Sequence, residues 1–111
     1  MTEFSGLFPT LPQDREHEAE AIYRAVFGNL PVAAWQRQGT LITRWVNGRK
    51  LNFAARRTHC TIAFRGRLAV EFYRLMEGDC PVGSVSIKIP YGANWDPQPV
   101  RDTIDWYINN A

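Results

Sequence analysis

Apolar positions change their period near Pro31. Ahead of it, Ala19, Ile22, Tyr23, Val26, Phe27 and Leu30 recur at i, i+3, i+4, i+7, i+8 and i+11, which lines up one face of a helix. Thr10 followed by Leu11, Pro12 and Gln13 fits a capping box with Pro in the first turn. A helix is therefore expected from about residue 12 to Phe27, ended by Gly28 or Asn29. Within it, Glu20 and Arg24 stand one turn apart in the favourable order.

Beyond Pro31 the period becomes two. "TLITRWV" (40–46) reads as a strand, "NGRK" (47–50) as a hairpin turn built on Asn-Gly, and "LNFAARR" (51–57) as the returning strand. "HCTIAFRG" (59–66) alternates Cys60, Ile62 and Phe64 against His59, Thr61, Ala63 and Arg65. "RLAVEFYRLMEG" is a helical segment closing at Gly78, and "GSVSIKIP" (83–90) alternates Val85, Ile87 and Ile89 against Ser86 and Lys88. "YGANWDPQP" is a loop into a last helix from about Pro99, with Val100, Ile104, Tyr107 and Ile108 along one side. Strands with one apolar face need a cover on that face. The economical arrangement is α+β: a two-layer sandwich in which an antiparallel or mixed sheet of four or five strands carries the N- and C-terminal helices on one face.

Composition agrees with this and narrows the class. A chain of 111 residues, 45% hydrophobic and 22% charged, suits one domain over residues 1–111, with residues 1–9 as an N-terminal tail. "MTEFSGLFPT" has neither the basic nor the apolar region of a signal peptide, and no apolar run is long enough for a membrane span. A soluble, cytoplasmic protein with two free thiols is expected. Cys60 belongs to the core by parity, whereas Cys80 in "EGDCPVG" reads as an exposed loop thiol and the more reactive of the two. His59 and Cys60 are adjacent on a strand and point to opposite faces, so they cannot act together. Two Cys and two His at irregular spacing do not make a structural zinc site.

Charge is uneven along the chain. Residues 1–34 hold Arg15 and Arg24 against five acids, residues 35–75 hold nine basic residues against Glu71 alone, and residues 76–111 hold Lys88 and Arg101 against five acids. Arg44, Arg56, His59, Arg65 and Lys88 are expected on the polar parity of their strands, opposite the core. An open sheet face of this kind suits a small anion or an acidic partner, although charges also keep a solvated face soluble. Trp45 or Trp35 lies near enough for stacking, but no nucleic-acid motif accompanies them, and nucleic acid is not the expected partner. No glycine-rich phosphate loop, nucleophile elbow or paired-His motif occurs. No catalytic residue is assigned, and a binding protein is expected rather than an enzyme. Trp95, in the loop before the last helix, is the aromatic expected to wall a pocket.

The pieces "WVNGRKLNFAARRTHCTIAF" and "GSVSIKIPYGANWDPQPVRDTIDWYI", behind an N-terminal helix starting with Leu-Pro, resemble the YdhG-like domains. These are small bacterial proteins, related to frataxin, with a proposed intracellular iron-chaperone role. The resemblance covers residues 10 to 109 and rests on the glycine hairpin, on His59 opening the third strand, and on the Gly-Ser-hydrophobic strand ending in Pro90. Arg56, Arg57 and Thr58 stand where family members often place a Lys before that His, which weakens any ligand role carried over to that corner. The resemblance implies weak iron binding on the acidic first helix, with delivery to an iron-accepting protein, by a monomer or homodimer. On that helix Asp14, His17 and Glu18 fall opposite the apolar stripe, and Glu20 is three residues from His17. Carboxylates with one imidazole suit a ferrous or similar divalent ion. Acids in a first helical turn are equally favoured by the helix dipole, which requires no metal.

Overall fold

The computed structural model describes residues 13–27, 35–38, 41–46, 48–92 and 94–110. Among these the elements are α1 (Gln13–Phe27), β1 (Trp35–Gln38), β2 (Leu41–Val46), β3 (Arg49–Ala55), β4 (His59–Ala63), α2 (Leu68–Leu75), β5 (Ser86–Pro90) and α3 (Pro97–Asn110). The five strands form one sheet in sequence order, with every neighbouring pair antiparallel. The fold is the expected α+β two-layer sandwich. No helix among the described residues is long and apolar enough to cross a membrane.

Register explains the core. Ile42, Phe53, Ile62 and Ile87 are mutual partners across four strands, and Ala55, Cys60 and Ile89 form the next row. All seven are buried. Against them pack Ala19, Ile22, Tyr23, Val26 and Phe27 of α1, Ala69 and Tyr73 of α2, and Val100, Ile104, Tyr107 and Ile108 of α3. Aromatic rings join the layers edge-on: Tyr23 meets Phe53 with centroids 5.2 Å apart, and Phe64 meets Tyr107 at 5.1 Å. In the helical layer α3 touches both α1 and α2.

Several boundaries differ from the sequence expectation, each for a local reason. β1, "WQRQ", lacks a period-two apolar pattern; its ladder to β2, from Trp35 opposite Arg44 to Gln38 opposite Leu41, defines it. β3 begins at Arg49, because the turn is tighter than four residues and Gly48 adopts a φ of 75°. Lys50 is consequently a strand residue. β5 starts late, since residues 83–86 form a turn in which Gly83 N donates to the Ser86 carbonyl. α3 starts early. The Asp96 carboxylate accepts from Gln98 N at 3.0 Å, with Pro97 between them in the first helical position. The capping box at Thr10, the α1 stop at Gly28 or Asn29, and Asn47 of the hairpin lie outside the described residues.

Candidate anion-binding site

The open face of the sheet carries the residues that alternate with the core. Thr43, Asn52, Ala63 and Ser86 form one row across it, and Trp45 opposite Lys50 flanks that row. Just past the end of β4 the chain presents Arg65, which is exposed. Lys50, Asn52, Phe64 and Arg65 line a cleft of about 300 Å³. Among the described residues its polar lining consists of two cations and an amide.

The spacing of the two cations has a structural cause. The Tyr107 hydroxyl accepts from Arg65 N at 3.1 Å and donates to the Lys50 carbonyl at 2.9 Å. One phenol, reaching from α3 with its ring packed on Phe64, thus ties together the backbones of both cationic residues. The Thr43 hydroxyl donates to Asn52 Oδ1 at 2.7 Å. With its oxygen so occupied, the Asn52 amide has its NH₂ to offer to the cleft. Every described polar side chain lining the cleft can therefore donate to an anion, and the backbone beneath two of them is held in place.

The other expected basic residues distribute differently. Arg56, His59 and Lys88 gather at the opposite end of β4, about 20 Å away for six extended residues. There Thr61 opposes Lys88 and His59 opposes Pro90. The His59 imidazole is held below its ordinary value, first by desolvation and then by the charges of Lys88 and Arg56. Thr58 Oγ1 and His59 Nδ1 are hydrogen-bonded at 3.0 Å. Arg44 departs from its expected parity. It pairs with Leu51 and alternates in step with the buried Ile42 and Val46, because those two residues fix the helix-covered face of β2. The Arg44 side chain lies outside the described residues. Of the four expected basic residues whose side chains are described, Arg65 alone lines the cleft.

The acidic residues of α1 divide between two borders of the helix. His17 is exposed, whereas Glu18 and Glu20 are half-buried. Two residues apart means about 200° of rotation, so the two carboxylates flank the buried stripe on opposite sides. Glu18 accepts from Gly92 N in the turn after β5, where Gly92 adopts a φ of 74°. Asp14 belongs to α1, but its side chain lies outside the described residues. Among the described residues no group of three or more His, Cys, Asp or Glu is placed to hold a metal ion. Glu18 instead borders a second, more apolar cleft of about 260 Å³ with Ala21, Ile22, Ala25, Pro97 and Trp95. Trp95 is therefore a pocket wall.

Both thiols are free and buried. For Cys60 this matches the expectation, and burial pushes its thiol up to about 12. Cys80 is a correction. Its backbone N–H donates 3.0 Å to the buried Tyr73 hydroxyl, which folds the loop inward, and burial raises the thiol above its ordinary value.

Lys50, Asn52 and Tyr107 were not legible as site residues. In the sequence Lys50 reads as a turn residue, Asn52 as an ordinary strand position and Tyr107 as part of an apolar stripe; parity on β3 as bounded at Arg49 is the signal that finds the first two. Compared with protein families, curated proteins and solved structures, the chain shows no significant match to any.

Proposed function

We propose that this protein is a small-anion-binding domain, non-enzymatic, whose site is the cleft formed by Lys50, Asn52 and Arg65. The observation that supports this best is the Tyr107 hydroxyl bridging the Lys50 carbonyl and the Arg65 amide, since a pre-set spacing lowers the ordering cost of binding. The cleft is at the small end of ligand pockets, and its donors suit phosphate or carboxylate groups on a compact molecule. Arg65 provides a fork for two oxygens, and Lys50 a point charge.

Titration with inorganic phosphate and with citrate, followed by amide NMR, tests this reading. Shifts should concentrate at residues 50–52 and 64–65, weaken as salt rises, and vanish in Arg65→Glu. Tyr107→Phe retains both charges but releases their backbones; affinity should fall several-fold while folding is retained. Shifts that are absent, or spread evenly over the surface, overturn the proposal. A parallel anaerobic titration with ferrous iron addresses the role implied by the YdhG-like resemblance. Broadening confined to residues 14–20 would favour iron carriage over anion binding.

A further inference from the structure

The second cleft lies in the helical layer, between α1 and the start of α3. Glu18, Ala21, Ile22 and Ala25 follow at intervals of three, one and three residues, which places them along one flank of α1. Trp95 and Pro97 line the cleft from the start of α3, and its volume is about 260 Å³. Small side chains at Ala21 and Ala25 are what leave this space between the helices. Trp95 is half-buried and packs against the core, so its indole is an anchored wall.

The charges here are opposite to those of the Lys50–Arg65 cleft. Among the described residues Glu18 is the charged group lining the space, and its carboxylate is anchored by accepting from Gly92 N in the turn after β5. A carboxylate has two oxygens and serves several donors at once, so this bond positions it to meet a ligand. Asp96 stands in the chain between Trp95 and Pro97; it is exposed, accepts from Gln98 N, and adds negative charge beside the wall. Toward the far end, Arg101 donates its Nε–H to the Ala25 carbonyl. Glu18 and Ala25 are seven residues apart, about 10 Å along the helix. The cleft therefore runs from an acidic end, along an apolar middle, to an end where a cation is already in place. A carboxylate in one cleft with an indole is a pairing that holds an ammonium group, the acid by a charge-assisted hydrogen bond and the ring by its π-electrons.

We infer that this cleft binds a compact organic cation, an alkylammonium whose charged head meets Glu18 and whose apolar body lies along Ala21, Trp95 and Ala25. The volume is just below the usual range of small-molecule sites, which limits the ligand to one short chain or ring. An anionic ligand would bring like charge against Glu18 and is rejected. The inference does not rest on the anion-binding reading, since it uses different residues and the opposite charge.

Amide and indole NMR on the full chain, at neutral pH and constant chloride, tests it with three probes of similar shape: n-butylammonium, n-butanol and butyrate. n-Butylammonium should shift residues 18–25 and the Trp95 indole, with millimolar affinity. n-Butanol should bind several-fold more weakly and butyrate should not bind. Glu18→Gln retains an acceptor for Gly92 N and should lower the affinity for n-butylammonium about tenfold, while n-butanol is unaffected. Ala21→Leu, at an exposed position, fills the cleft and should block both. Circular dichroism confirms that each variant is folded. The inference is overturned if n-butylammonium gives no localised shift up to about 100 mM, as when a segment of the chain itself fills the cleft. It is likewise overturned if n-butanol or butyrate binds as tightly as n-butylammonium, if Glu18→Gln keeps the preference for the cation, or if Ala21→Leu binds like wild type.

Discussion

His59 carries two positive neighbours and a partly desolvated ring, and the consequence can be read in stability. Its folded pKa lies below the ordinary value of 6.5, through burial first and then Lys88 and Arg56. A depressed value means that the unfolded chain binds the proton more readily. The stabilisation is present above about pH 6.5 and is lost as pH falls through the folded pKa. Denaturant unfolding of wild type between pH 5 and pH 8 should show this acid loss, and His59→Gln should flatten that part of the curve. An unchanged slope in the variant would remove His59 as the cause. Tyr107 shows why part of the residue scale escapes the sequence. Its place in an apolar helical stripe is legible, and its ring is buried accordingly. Its hydroxyl partners are 57 and 42 residues away, a distance that no local pattern spans.

At the scale of elements, period decided most of what could be read. Alternation in "HCTIAFRG" and "SIKIP" gave the buried parity of β4 and β5 because one face of each is covered by helices. β1 escaped because an edge strand of "WQRQ" owes its existence to its neighbour rather than to its own pattern. The end of α2 was legible in its glycine, though for a different reason. Glu77, at a φ of 60°, takes the left-handed position, with its N–H on the Arg74 carbonyl, while Gly78 N bonds back to the Tyr73 carbonyl, a Schellman arrangement. Gly78 supplies space rather than backbone freedom. A Cβ there would fall 2.1 Å from Cζ of Tyr73. That ring is fully buried, and its hydroxyl accepts from Cys80 N, so it cannot swing aside. Gly78→Ala should therefore cost about 1–3 kcal/mol, the usual penalty of overpacking. The measurement is a lower denaturant midpoint at constant m-value. A midpoint within error of wild type would show that the α2 cap gives way easily.

The whole molecule is a sheet with one helical side, and the two cysteines sample it at different depths. Cys60 is the central residue of the row Ala55–Cys60–Ile89, under α1, with its thiol 3.7 Å from the Tyr91 hydroxyl. Tyr91 in turn donates 2.7 Å to the Arg56 carbonyl, so the end of β5 is latched to the turn between β3 and β4. No opening of a single loop uncovers Cys60; the helical layer must leave the sheet. Burial also holds the Cys60 thiol well above its ordinary value, which disfavours the reactive thiolate in the folded state. Cys80 lies in the connection between α2 and β5, is 8% exposed, and is held inward by its N–H on Tyr73 and by the next residue, whose carbonyl accepts from Lys88 N. Release of that connection breaks the bond of the Pro81 carbonyl to Lys88 N at the sheet's edge but leaves the helical layer in place, and local openings cost less than global ones. Labelling with a thiol reagent, read peptide by peptide by mass spectrometry, should therefore be slow at both sites and slower at Cys60. Added denaturant should accelerate Cys60 with the full slope of global unfolding and Cys80 with a shallower one. Equal rates with equal slopes would mean that the connection and the sheet open as one unit; faster labelling at Cys60 would show that α1 leaves the sheet more easily than the Cys80 loop turns outward.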